Sequence, residues 1–428
     1  MLQNSTQSAV ASPRCSTVRQ GPGTGDELGL VEPVDGLGLD AVASPSAPGH
    51  STRGWKTPAE APDELLCLTD TAVLRHGRST VYVERAVTER TVPPGPFVVA
   101  VPDSPDLDHL GTVPPTVHLV RLPPWPGELP DLRDAQMIVV GDSVQVRVVD
   151  ALGRLPRLTA IQTLSAGVDW LSGVVPAGVT VYNARGVYDS AVAEWVVGAI
   201  LAMKRGLIAS RDAQNAATWA AFVPSELLRA RVLVLGYGSI GRAVAARLQP
   251  FGVEIVGVAR HGQGDALGIE RLDDVLPSVG VLVDLLPLTA ETARLLGRRR
   301  LSALPDGALV VNAGRGATLD TRALLEEVRA GRLRAALDVT DPEPLPKTHP
   351  LWSLPNVLIT PHIAGDSPEA SRRAFALAGD QIRRYAAGEV LLNKVPAYLL
   401  TPPIPRSARP EELLKRGIGR PPNREDQR

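Results

Sequence analysis

Residues 231–241 read R-V-L-V-L-G-Y-G-S-I-G, an apolar strand-forming run that breaks straight into a glycine turn. A helical stretch follows, with Ile240, Val244 and Leu248 on one face. Strand, tight glycine turn and amphipathic helix in immediate succession leave few folds open, because the next strand must return parallel to the first. The rest of the chain obeys that constraint. VEIVGVA, VGVLVDLLP, GALVVNAG, AALDVT and NVLITPH follow in order, each separated from the next by a helical stretch. An earlier series, PFVVAV (96–101), VHLVRL (117–122), AQMIVVG (135–141), TAIQTL (159–164) and TVYNA (180–184), is punctuated by Pro/Gly turns and short helices. A long apolar helix over 190–205, stopped by Gly206, joins the two series. Continuous Val/Leu/Ile runs alternating with helices imply parallel strands covered on both faces. The expected fold class is α/β, with two doubly wound parallel-sheet lobes.

The glycine turn has a chemical reading. In a G-x-G-x-x-G turn the glycines permit the tight reversal and a close backbone approach to a pyrophosphate, whose charge sits at the helix N-terminus. Gly236, Gly238, Ser239, Ile240 and Gly241 are therefore the candidate dinucleotide cradle. The end of the following strand bears on which dinucleotide is bound. Where an NAD site carries Asp or Glu for the ribose hydroxyls, this chain has Ala259 followed by Arg260. Losing the carboxylate removes repulsion toward a 2′-phosphate, and arginine supplies a planar charged fork to bind it. NADP(H) is favoured and NAD(H) stays open; the plainer reading of Arg260 is a solvent-facing loop residue.

Composition narrows the classes. Forty-five basic against 46 acidic side chains give a net charge of −1, which argues against a nucleic-acid binder or a polybasic membrane protein. No run approaches 18 uncharged apolar residues, and the start lacks the apolar core of a secretory signal, so a cytoplasmic protein is expected. Cys15 and Cys67 are the only cysteines, so nothing after residue 67 offers a Cys-ligated zinc, a disulfide framework or a catalytic thiol. No metal is expected. Residues 1–95 are rich in Ser, Pro, Gly and Thr, with Trp55 as the only aromatic before Val81, and read as a largely disordered extension with a strand-like patch at 79–87. Residues 401–428, Pro- and Arg-rich, read as a flexible tail.

Seven motifs then occur in order: IQTLSAGVDWL (161–171), YDSAVAEWVVGAILAMKR (188–205), GYGSIG, LLPLTAET (285–292), LVVNAGRGATLD (309–320), AALDVTDPEPLP (335–346) and HPLW…TPHIAG (349–365). On these, residues 96–397 resemble the D-isomer-specific 2-hydroxyacid dehydrogenases, the family of glyoxylate/hydroxypyruvate reductases, D-lactate dehydrogenase and phosphoglycerate dehydrogenase. The resemblance implies a flavodoxin-like substrate domain over 96–188 and 367–400 and a Rossmann NAD(P)-binding domain over 189–366. It implies a homodimer, and Arg315, Glu343 and His362 as the catalytic trio. Asp338 and Pro287 would lie against the cofactor, and Ala166 and Gly167, with Arg315, against the substrate.

Those residue types suit the implied chemistry. Reducing a 2-oxo acid needs a proton donor at the carbonyl oxygen, and His362 fits as a general acid. Glu343 would orient the imidazole and favour its protonated form. Arg315 would hold the substrate carboxylate and polarise the ketone. The small residues of the 165–169 turn would let backbone amides approach that carboxylate, with Asp169 read as structural. No tyrosine has Lys four residues later, which removes a short-chain dehydrogenase pair. Formate dehydrogenases of this family carry Gln where Glu343 stands. The loop 141–145, G-D-S-V-Q, offers no cation to a substrate phosphate, so an unphosphorylated acid such as glyoxylate or hydroxypyruvate is the expected substrate. The alternatives are a phosphoglycerate dehydrogenase-type enzyme and a nucleotide-dependent, corepressor-like binding module on the same fold.

Overall fold

Every apolar run named above forms a strand in the computed structural model, which describes residues 96–402 and, as strands, 66–68, 71–76 and 79–84. The latter are β1 (Leu66–Leu68), β2 (Thr71–His76) and β3 (Ser79–Glu84), an antiparallel three-stranded sheet. β3 coincides with the strand expected at 79–87. β1 and β2 correct the reading of this segment as disordered apart from 79–87; the short apolar runs in LCL and TAVLRH were the available signal. The rest of the extension read as disordered, and the tail beyond residue 402, lie outside the described residues.

The next five strands are β4 (Phe97–Pro102), β5 (Val117–Leu122), β6 (Ala135–Val140), β7 (Ala160–Thr163) and β8 (Thr180–Tyr182). They form one parallel sheet in the order β5-β4-β6-β7-β8. Seven more follow: β9 (Arg231–Leu235), β10 (Glu254–Ala259), β11 (Ala266–Gly268), β12 (Val281–Asp284), β13 (Leu309–Asn312), β14 (Arg334–Leu337) and β15 (Val357–Ile359). They make a second parallel sheet, β11-β10-β9-β12-β13-β14-β15. Its order reverses between β9 and β12, and in such sheets the crevice at the switch point is where a nucleotide lies.

The helices are α1 (Gln145–Ala151), α2 (Asp189–Lys204), α3 (Leu207–Asn215), α4 (Ser239–Leu248), α5 (Leu272–Val275), α6 (Arg298–Ala303), α7 (Thr321–Arg329) and α8 (Pro368–Ala387). Both faces of the two parallel sheets are covered, as the unbroken apolar runs require. Along β4, Ala100 packs into one core while Val99 and Val101 pack into the other. In the larger sheet Leu233 and Leu235 face one core, Val232 and Val234 the other, against α2 and α4.

Helix α8 returns from the second sheet to the first. Its Ala374, Phe375, Ala378 and Ile382 join the core behind β4 and β6. Gln381, fully buried, donates to Gln162 Oε1 of β7 at 2.8 Å and accepts from the Leu392 N–H at 2.8 Å, so its polar atoms are satisfied inside that core. A Cβ on Gly379 would lie 1.9 Å from the Leu110 carbonyl oxygen, so this close approach requires glycine. Among the described residues no helix is long and apolar enough to cross a membrane.

Candidate active site

The glycine turn lies between β9 and α4. Gly236 has φ +96°, and a Cβ there would meet the Leu285 carbonyl group at 2.9 Å. A Cβ on Gly241 would press on the Gly236 carbonyl oxygen at 2.6 Å, so the helix could not pack so close. Gly238 is different: nothing lies within 4 Å of the Cβ it lacks. Open space therefore fronts the first turn of α4, whose backbone N–H groups have no partner within the helix. A pyrophosphate fits that cradle. The Ser239 hydroxyl donates to the Asp189 carboxylate at the start of α2, and Ile240 packs half-buried beside α2, so both contribute to the turn as much through position as through side chain.

Arg260 follows the last residue of β10. It donates from Nη2 to Glu291 Oε1 at 2.7 Å, and its guanidinium carbon lies 4.2 Å from the centre of the Tyr398 ring. Pro287 lies on the segment after β12, where its carbonyl accepts from the Thr292 hydroxyl at 2.6 Å. At the end of β12 Asp284 is wholly buried. It accepts from the Leu286 N–H at 3.0 Å and from the Thr318 hydroxyl at 2.6 Å, and burial pushes its carboxyl up to about 6.

Those bonds reach the Arg315 loop. Thr318 also bonds the Arg315 carbonyl at 2.6 Å, and Asn312 Nδ2 donates to the same carbonyl at 3.1 Å. The backbone is thus held from β12 and β13, and the Arg315 side chain projects toward the other lobe. Its Nε donates to Asp169 Oδ1 at 2.8 Å and its Nη1 to the Gly314 carbonyl at 2.8 Å. Nη2 lies only 1.3 Å from where a Cβ of Gly167 would be, so the guanidinium occupies the volume that glycine leaves. The neighbouring Ala166 carbonyl accepts from Asn183 Nδ2 at 2.8 Å, and the Gly167 carbonyl from the Ser165 hydroxyl at 2.8 Å. The turn is consequently rigid.

His362 lies on the turn after β15, with φ +58°. Its Nδ1 is 2.6 Å from Glu343 Oε1. That bond holds the imidazole above its ordinary proton affinity, against burial and the nearby Arg315 charge. Asp338 is 3 % exposed, and its carboxylate is committed to the same turn. It accepts from the Thr360 hydroxyl at 2.6 Å and from the Ile363 and Ala364 N–H groups at 2.9 Å each. A carboxylate so bonded dictates the path of residues 360–364 and with it where His362 stands.

Arg315, Glu343 and His362 therefore converge on one cleft, with Gly167 directly under the guanidinium. Asp142 faces the same cleft: its carboxyl is raised by burial, and the His362 and Arg315 charges oppose the rise. Asp169 does more than shape its turn, since it is the ion-pair partner of Arg315 across the lobes. Asp284, Thr318, Glu291 and Tyr398 were not singled out from sequence. A buried acid inside an otherwise apolar strand, V-L-V-D, was the one available signal among them.

The family profile described as "D-isomer specific 2-hydroxyacid dehydrogenase, NAD binding domain" matches residues 197–364. A glyoxylate reductase of Thermofilum pendens is 32% identical over 294 residues, 63% of this chain and 86% of that protein. A D-3-phosphoglycerate dehydrogenase of Methanocaldococcus jannaschii is 31% identical over 278 residues, 62% of this chain but 53% of that protein, so the match spans about half the length of that relative. Among solved structures, a D-isomer specific 2-hydroxyacid dehydrogenase from Xanthobacter autotrophicus Py2 in complex with NADPH and MES aligns with a TM-score of 0.60 at 30% identity, over 70% of this chain and 98% of that one. An NADPH-dependent glyoxylate/hydroxypyruvate reductase from Sinorhizobium meliloti, in complex with NADP and sulfate, aligns with a TM-score of 0.62 at 26% identity, over 70% and 98%.

Proposed function

Because the chain belongs to the family of the D-isomer specific 2-hydroxyacid dehydrogenases, we propose that it reduces a small, unphosphorylated 2-oxo acid of the glyoxylate or hydroxypyruvate kind to the D-2-hydroxy acid, with NADPH as the favoured cofactor. The observation that carries this reading is the 2.6 Å His362–Glu343 pair in one cleft with Arg315. With Nδ1 engaged by the carboxylate, Nε2 is the ring nitrogen left to present a proton. Gly236, Gly238 and Gly241 would hold the reduced dinucleotide, which when bound would supply the hydride for the 2-carbon. His362 delivers its Nε2 proton to the carbonyl oxygen, and Glu343 favours the imidazolium needed beforehand. Arg315, lying over Gly167, holds the substrate carboxylate and the developing oxyanion charge.

The substrate class rests on the loop 141–145, which offers no cation, and on Asp142 and Asp366, whose carboxyls both feel the His362 charge. Two carboxylates so placed oppose a substrate phosphate. The substrate domain is taken as 96–188 with 367–400 and the cofactor domain as 189–366, in line with the return of α8 to the first sheet. A homodimer is proposed because Trp219 and Val223, 98% and 97% exposed, lie on one segment after α3.

Purified protein with NADPH, offered glyoxylate, hydroxypyruvate and 3-phosphohydroxypyruvate, tests the reading. The first two are expected to be reduced and the phosphorylated acid to be poor. His362→Ala is expected to lower kcat by about 10²–10⁴-fold, as loss of a general acid does. Glu343→Gln should move the alkaline limb of the rate profile to lower pH, because the bond that raises the imidazole is weakened. A best rate with the phosphorylated acid would overturn the substrate class.

A further inference from the structure

Arg260 does not stand free at the end of β10. Its Nη2 is bound by Glu291, and its guanidinium carbon lies over the Tyr398 ring. The two partners come from different lobes. Glu291 sits on the segment after β12, stiffened where the Thr289 N–H donates to the Thr292 hydroxyl at 2.8 Å. Tyr398 belongs to the single turn Ala397–Leu400, anchored on the five-stranded lobe. There the Gly173 N–H donates to the Leu400 carbonyl at 2.9 Å, and Leu399 and Leu400 pack against that lobe's core.

We propose that Glu291 and Tyr398 set the preference between NADPH and NADH by acting on Arg260: the carboxylate competes with the cofactor's 2′-phosphate, and the ring holds the guanidinium in its receiving orientation. The inference rests on the reading of Arg260 as the 2′-phosphate ligand.

The physics differs for the two partners. The side chains of Arg260 and Glu291 are 40% and 64% exposed, so their pair is solvent-screened and exchangeable. A phosphate arriving at Arg260 finds one positive charge already shared with a carboxylate, and that carboxylate repels it. Glu291 therefore lowers discrimination in favour of the 2′-phosphate. Tyr398 works in the opposite direction. A guanidinium held over a ring by cation–π attraction has less freedom to lose when it bonds a phosphate. NADH carries a ribose hydroxyl in place of the phosphate, so neither substitution should touch its affinity.

The test is direct binding to the full chain, by NADPH and NADH fluorescence titration without substrate. Glu291→Gln is expected to tighten NADPH roughly two- to fivefold, the range of one exposed charge interaction. Tyr398→Leu should weaken NADPH by about two- to fivefold, the range of an exposed cation–π contact, while Tyr398→Phe keeps the ring and the affinity. NADH affinity should stay unchanged throughout. In an Arg260→Gln background the Tyr398 effect should vanish, and the Glu291 effect should shrink to the direct repulsion between carboxylate and phosphate. Weaker or unchanged NADPH binding in Glu291→Gln, or equal losses for both cofactors in Tyr398→Leu, overturns the proposal. If Arg260→Gln alone leaves the ratio of the two affinities untouched, the underlying reading of Arg260 fails instead.

Discussion

Two arginines mark the two ends of the cleft, and they are held in opposite ways. Arg315 is 26% exposed and paired to an Asp169 that is 14% exposed, with its head in the space Gly167 leaves and its backbone tied to β12 and β13. Arg260 and Glu291 are much more exposed, and Arg260 rests on a ring carried by the other lobe. The same ion-pair chemistry thus serves as a fixed strut in one place and as an exchangeable contact in the other. Burial decides which, because a screened surface pair contributes only about 0–1 kcal/mol whereas breaking an enclosed pair strands a desolvated charge. Under the proposed function, the Arg315 end polarises a carbonyl and needs a charge that does not move, whereas the Arg260 end selects a cofactor and can use one that adjusts.

The sharpest way to break this comparison is to fill the space under Arg315. Gly167→Ala places a methyl group where Nη2 now lies and is expected to lower kcat/KM on the order of 10²–10³-fold, the scale of losing one oxyanion donor. Steady-state kinetics beside a melting curve checks it; full activity would mean that Arg315 is not pinned.

A middle-sized effect concerns Asp284, which supports the Arg315 loop through Thr318 and the start of the segment after β12 through Leu286. Its carboxyl ionises at about 6 when folded, against 3.8 in the unfolded chain. The native state keeps a proton that the unfolded state releases, so this group costs stability as pH rises from about 4 to 6. The cost at neutral pH reaches about 3 kcal/mol as an upper bound. Asp284→Asn, which mimics the neutral form, should therefore gain in melting temperature relative to wild type as pH is raised across that window. A constant difference from pH 4 to 7 would contradict it.

The smallest effect is one of salt. Raising ionic strength from about 0.05 to 0.5 M should erode the NADPH preference severalfold, because Arg260 is exposed, and should change the KM for keto acid less. Equal erosion of both would erase the distinction between the two ends.

How legible each end was follows from the range of its contacts. The parallel strands and the glycine turn could be read because their signals are local: Val and Leu runs, and glycines spaced within one turn of chain. Arg315, Glu343 and His362 came from ordered motifs, and the structure brings them together. What sequence left hidden is the pairing across lobes. Asp169 and Arg315 stand 146 residues apart, and Tyr398 reaches Arg260 from the far end of the described chain. No periodicity reports a contact between segments that meet only after both lobes have folded. Asp338 illustrates a subtler gap, since its type was legible but its bonds to the turn at 360–364 were not.

The left-handed backbone of His362 sets stability against activity. A residue with a Cβ sits there at a conformational cost of about 1–2 kcal/mol, less for histidine than for bulkier side chains. Replacing it by glycine would relax the turn and leave a sturdier protein that no longer moves a proton. Selection for thermal resilience alone would therefore drift away from the imidazole, and a screen that scored only melting temperature would discard the residue on which the proposed proton transfer depends.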